Sequence, residues 1–141
     1  MPQNKLEKIW GVRERLLETT TVVVDRLTLE ADSFCSWHYH EFKYNMFIVL
    51  SGAIFLELEN KDTVVIIQNE QYIVEPKIQH RFVTKGFPAI IMEVMYTKPV
   101  LEDDIIRLVQ GGKIVNDKYI VENDLDARGF NGIKEGEYEG Q

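Results

Sequence analysis

Between Val12 and Tyr96 the chain is a succession of short β-prone runs, broken by turn residues at intervals of roughly eight to twelve. Thr20-Thr21-Val22-Val23-Val24 is β-branched throughout, and Arg26 to Leu29 extends it past Asp25. Such side chains pack well on a pleated surface. Ala31-Asp32-Ser33 reads as a turn, Ser36 to His40 as a short strand, and Asn45 to Leu50 as a strand apolar on both faces. Beyond Ser51-Gly52, the residues Ile54, Leu56 and Leu58 alternate with Phe55, Glu57 and Glu59, the period of a half-buried strand. Thr63 to Ile67, Tyr72 to Val74, His80 to Val83 and Ala89 to Tyr96 complete the series. Short strands at this spacing predict an all-β sandwich or barrel.

The ends differ from this middle. Residues 1–18 are expected to form an N-terminal arm, beginning with a short turn that ends at Gly11, and residues 19–109 the folded domain. Leu101, Ile105, Ile106 and Leu108 lie among acids in a pattern that fits one closing helical turn, with Glu102-Asp103-Asp104 at its start. Residues 110–141 read as a polar, partly mobile extension, with an edge strand at Ile114 to Ile120.

A length of 141 residues suits one domain. The net charge of −7 argues against nucleic acid or an anionic membrane surface as a partner. The single cysteine, Cys35, rules out an intrachain disulfide and fits a reducing compartment; it reads as a small buried hydrophobe. No apolar run reaches the ~20 residues that span a bilayer, and the N-terminus lacks the apolar core of a signal peptide. The expectation is a cytoplasmic protein that acts on a small molecule.

The residues with the most chemistry stand in CSWHYHEFKYNMFIVLSG, residues 35–52. His38 and His40 are two of only three histidines, and alternation along a strand puts both imidazoles on one face. The third, His80, follows Pro76 in EPKIQHRF. The order of an HxH pair, a glycine turn, and then a proline followed by histidine resembles the cupin superfamily, whose members are double-stranded β-helix jelly rolls. Gly52 falls at the place of the closing glycine of the first cupin motif, Asn45 at the place of its acid, and Asp32 at that of its opening glycine. The second motif keeps Pro76 and His80 without its glycine. At the level of segments, KIWG, DRLTLEAD, FIVLSG, QHRF, IIMEV and EDDIIRL resemble the C-terminal domain of type II mannose-6-phosphate isomerases over residues 6–109. That group carries an arginine and a histidine where Lys43 and Met46 stand here. A nucleotidyltransferase domain does not fit in 141 residues, so guanylyltransferase activity is not expected.

The resemblance implies a single-domain cupin with one divalent metal ion held by His38, His40 and His80, and with Asn45 either a fourth ligand or a turn residue. Three neutral imidazoles favour zinc, iron or nickel over manganese or magnesium. Glu93, an acid inside the apolar run IIMEVMY, either lines the cavity as a general base or faces solvent. Lys43 and Arg81 are candidates to hold a substrate phosphate or carboxylate, although Arg81, next to His80, should point away from the metal. The leading functional expectation is a sugar or sugar-phosphate isomerase or epimerase. The alternatives are a three-histidine iron dioxygenase and a non-catalytic small-ligand-binding cupin. A homodimer is expected, with Thr20 to Val24 as a possible edge-strand interface.

Overall fold

A computed structural model describes residues 4–98 and 106–121. They form eleven strands in chain order: β1 Lys5–Lys8, β2 Gly11–Glu18, β3 Val22–Leu29, β4 Tyr44–Ser51, β5 Ala53–Leu58, β6 Val64–Ile67, β7 Gln71–Val74, β8 His80–Val83, β9 Ala89–Tyr96, β10 Gly112–Val115 and β11 Lys118–Val121. No helix among the described residues is long and apolar enough to cross a membrane. Residues 1–100 and 101–141 make two separate compact units.

The first unit holds two antiparallel sheets, one with strand order β1-β2-β3-β9-β4-β7 and one with order β6-β5-β8. The all-β, double-sheet class expected from the strand pattern is therefore present. The period of two is plain on β4, β5 and β8. On β5, Ile54, Leu56 and Leu58 are buried while Ala53, Phe55 and Glu57 are only partly so. On β4 the buried set is Asn45, Phe47 and Val49. Phe47, Val49, Ile54, Leu56 and Leu58 join Leu27, Leu29, Ile66, Val74, Phe82, Ala89 and Ile91 in one core.

Four expectations require correction. Residues 5–18 are not an arm: β1 and β2 pair with each other, and β2 pairs along β3, so the segment extends the large sheet. Thr20 to Val24 is not an edge, because β3 lies between β2 and β9. Ser36 to His40 is not a regular strand. Only two isolated bridges join this region to β8, Phe34 with Val83 and His38 with His80. Between those bridges one side advances four residues and the other three, which is a bulge. The Phe82 amide that would continue the ladder donates instead to Cys35 Sγ at 3.3 Å. Finally, Ile114 to Ile120 is not a single strand. In the second unit β10 and β11 pair with each other, turning at Asn116-Asp117. Both turn residues have positive φ, 51° and 63°, as a two-residue type I′ loop requires. The helical turn expected near Leu101 falls largely outside the described residues, as does most of the extension expected to be mobile.

Gly52, between β4 and β5, shows how tightly the sheets meet. Its φ is +79°, and a Cβ there would stand 2.6 Å from the Pro88 carbonyl oxygen. Gly86 has the same backbone, φ +80°, but open space around it. Gly86→Ala should therefore cost only the left-handed backbone penalty, about 1–2 kcal/mol, and Gly52→Ala clearly more. Denaturant midpoints of the two variants check this; equal losses would contradict the packing.

Candidate metal centre and its cavity

Each of the three histidines is placed by backbone pairing. The His38 amide donates to the His80 carbonyl at 3.1 Å, and the His80 amide to the His38 carbonyl at 2.8 Å. The two residues are thus direct cross-strand partners, whose side chains share a face. Two residues on, the His40 carbonyl accepts from the Lys77 amide at 2.7 Å, which holds the third imidazole beside the other two. Ring centroids lie 5.2 Å apart for His38 and His40, 4.7 Å for His38 and His80, and 5.8 Å for His40 and His80. One nitrogen from each ring falls within 4.8 Å of the others, so the cluster can hold one metal ion.

The rings are also oriented for that task. His38 Nδ1 lies 2.8 Å from the Ser36 carbonyl oxygen, and His80 Nδ1 2.8 Å from that of Ile78. An Nδ1–H donated to a carbonyl leaves Nε2 unprotonated and available as a ligand. Burial, together with the charges of His38, His80 and Lys43, lowers the His40 pKa to about 4. Burial and the neighbouring His38 also lower that of His80. Neutral imidazoles at pH 7 are the form that coordinates.

Asn45 belongs to this cluster. It is completely buried on β4, with Nδ2 3.3 Å from His40 Nε2, 3.4 Å from His80 Nε2 and 3.0 Å from Glu93 Oε2. Its Oδ1 is buried with no hydrogen-bond partner among the described residues. An amide coordinates through oxygen, so ligation by Asn45 requires its side chain turned by about half a rotation, which exchanges Oδ1 and Nδ2. The orphaned oxygen and the neutral imidazoles together fit a metal ion; among the described residues no carboxylate joins the three histidines.

Glu93 settles on the inner face. On β9 it stands opposite Asp25 of β3 and Phe47 of β4, both buried, and it lines a cavity of about 500 Å³. Removal from water raises its pKa, and the Asp25 charge adds to the rise. Arg15 clamps Asp25 with two hydrogen bonds, Nε to Oδ1 at 2.8 Å and Nη2 to Oδ2 at 3.1 Å. Arg15, Asp25, Glu93 and Asn45 therefore carry a polar chain across β2, β3, β9 and β4 to the imidazoles.

His38 and His40 open onto the same cavity. Arg81 faces away from it, as alternation requires. Its Nε donates to Glu57 Oε1 at 2.6 Å and its guanidinium lies over the Phe34 ring, 5.1 Å from the centroid. Lys43 is exposed in the turn before β4. Neither lines the cavity; the cations that do are Lys8, Arg13 and Arg15. Sequence reasoning missed these three and Asp25. The usable signals were the Arg-x-Arg alternation in VRERLLE and an acid embedded in TTTVVVDRLTL. Cys35 also lines the cavity, but burial pushes its thiol up to about 12, so it remains protonated and unreactive at neutral pH.

Comparison with known proteins bears on the fold. The sequence model of the family described as mannose-6-phosphate isomerase C-terminal matches residues 2–110. No curated protein matches significantly. Among solved structures, KdgF from Halomonas sp. aligns with a TM-score of 0.61 at 14% identity, covering 67% of this chain and 88% of that one. A double-stranded β-helix domain protein from Klebsiella pneumoniae aligns at 0.59 and 19% identity, covering 68% and 85%. An RmlC-like cupin from Shewanella frigidimarina aligns at 0.59 and 17%, covering 74% and 91%. These likenesses establish the cupin double-stranded β-helix fold, as the HxH and Pro-His motifs implied.

The depressed imidazoles make the metal-free protein acid-sensitive. His40 is neutral in the folded chain down to about pH 4, whereas an unperturbed histidine takes up a proton near 6.5. The unfolded chain therefore binds the proton first, and stability present above pH 6.5 is lost as the pH falls toward 4. Denaturant midpoints of the metal-free protein should drop between pH 7 and pH 5, and His40→Gln should flatten the drop. An unchanged slope in that variant would contradict the burial of His40.

Proposed function

The chain belongs to the family of mannose-6-phosphate isomerase C-terminal domains, and we propose that it is a metal-dependent isomerase acting on a sugar or sugar phosphate. The observation that carries this reading is the Glu93 carboxyl, lodged in the cavity wall and tied to the imidazole cluster through Asn45 at 3.0 Å. A divalent ion held by His38, His40 and His80, of which zinc, iron and nickel suit the neutral donor set best, supplies Lewis-acid polarisation of neighbouring substrate oxygens.

The remaining work falls to the chain. Glu93 takes the proton from the carbon beside the substrate carbonyl and returns it to the former carbonyl carbon, while the proton of the adjacent hydroxyl passes to the former carbonyl oxygen, so substrate and product are isomers and no electrons leave. Burial raises its pKa, which makes it a stronger base than a solvent-exposed carboxylate. Asn45 holds Oε2 and so fixes the carboxyl's direction. The apolar walls contributed by Trp10, Leu27, Phe34 and Phe82 limit water around the transferred proton.

The test is interconversion of mannose 6-phosphate and fructose 6-phosphate with zinc, iron or nickel supplied. Turnover should fall about 10²- to 10⁴-fold in Glu93→Gln, with metal content unchanged. His38→Gln should lower metal content and turnover together. Oxygen consumption by the iron-loaded protein without isomerisation would overturn the reading in favour of a three-histidine dioxygenase. Sugar binding that survives loss of His38, with no turnover under any metal, would leave a plain ligand-binding cupin.

A further inference from the structure

Arg13 and Arg15 stand two residues apart on β2 and both line the cavity, yet their situations differ. Arg15 is fully committed, to Asp25 through Nε and Nη2 and to Glu18 through Nη1. Arg13 has no such acid. Its cross-strand neighbours are Leu6 on β1 and Leu27 on β3. Its Nε is buried without a hydrogen-bond partner. The carboxyl whose charge reaches it, Glu93, is hydrogen-bonded to Asn45 and not to Arg13. Among the described residues, then, Arg13 is a cavity-lining guanidinium with nothing to donate to.

A guanidinium stays charged at any accessible pH, and enclosing it without a partner is costly. The same wall carries a second cation, Lys8, at the end of β1, which forms no ion pair with the described residues. Ile9, Trp10, Leu27 and Phe34 add apolar surface to this lining, and its two acids are already engaged, Asp25 by Arg15 and Glu93 by Asn45. Such walls strengthen the attraction of these cations for an anion. A planar fork of donors matches the paired oxygens of a phosphate or a carboxylate.

We propose that Arg13, assisted by Lys8, is the anion-binding residue of this cavity, and that its ligand is a small molecule bearing a phosphate or carboxylate group. With the anionic end at Arg13, the rest of the molecule extends into the cavity that His38 and His40 also line. This deepens the isomerase reading and rests on it for the identity of the cavity's occupant. It assigns to Arg13 the role that the sequence suggested for Lys43 and Arg81.

Calorimetric titration of the protein as purified, in low-salt buffer, tests the assignment with mannose 6-phosphate, inorganic phosphate, glucuronate and mannose. The anions should bind at least about tenfold more tightly than mannose, and Arg13→Gln should remove that advantage. Lys8→Gln, at an exposed position, should weaken the anions a few-fold, and Arg13→Lys should fall between Arg13→Gln and the unaltered protein. Mannose affinity and metal content should not change in any variant. Mannose 6-phosphate ahead of glucuronate identifies phosphate as the recognised group, and the reverse order identifies carboxylate. No preference for anions over mannose, or anion affinity unchanged in Arg13→Gln, would overturn the proposal. Should Arg13→Gln fail to fold, unchanged anion affinity in both Arg13→Lys and Lys8→Gln overturns it equally. Arg13-dependent anion binding without isomerisation would keep this site and reject the isomerase reading. Isomerisation with an unaltered KM in Arg13→Gln would do the opposite.

Discussion

The reciprocal pair of backbone hydrogen bonds between His38 and His80 is the constraint on which the rest of the site depends. It makes two histidines, distant in sequence, direct neighbours across an antiparallel pair. Their rings then meet through cross-strand geometry, with no help needed from flexible loops. The bulge just before His38 lets the chain leave the β8 ladder, with Cys35 Sγ accepting the Phe82 amide hydrogen in place of a carbonyl. Bulges commonly re-aim side chains beside functional sites. Here the bulge falls between the bridge at Phe34, outside the cluster, and the bridge at His38 inside it.

Around that pair the barrel carries a row of polar groups through what could have been an apolar core. Arg15, Asp25, Glu93 and Asn45 come from four adjacent strands, each turned inward by the period of two. Replacing such a buried network with well-packed hydrophobes is often neutral or stabilising, so its presence says little about stability. It says more about chemistry. Arg15 neutralises Asp25, whereas Glu93 faces Asp25 with no cation among the described residues in hydrogen-bond contact, and its carboxyl is the member of the row poised to exchange a proton.

The amino-acid sequence made much of this legible and hid the rest for identifiable reasons. Strands β4, β5 and β9 were readable because their apolar residues alternate or run unbroken, and because Gly52 and Pro88 mark their ends. The three histidines were readable because their order and spacing fit the cupin motifs. The strand β1, KLEK, is exposed at every residue and so lacks any periodic signal; it is held by pairing with β2 alone. With it went the cavity wall formed by Lys8 and Arg13. Asp25 looked like an interruption in a β-branched run, since its partner Arg15 is brought opposite only by the β2–β3 register. The bulge between Phe34 and His38 depends on a thiol taking an amide hydrogen, a contact that no spacing rule encodes. The Asn116-Asp117 turn, by contrast, was a usable signal that Ile114 to Ile120 doubles back.

The central claim is that three imidazoles from two segments hold one ion. X-ray absorption at the zinc edge of the zinc-loaded protein tests it most directly, because scattering from imidazole rings is distinctive and the distances are short. The account predicts three histidine nitrogens at about 2.0–2.1 Å, with the remaining coordination supplied by oxygen. A shell with fewer than three imidazoles, or one that includes sulfur, would contradict it.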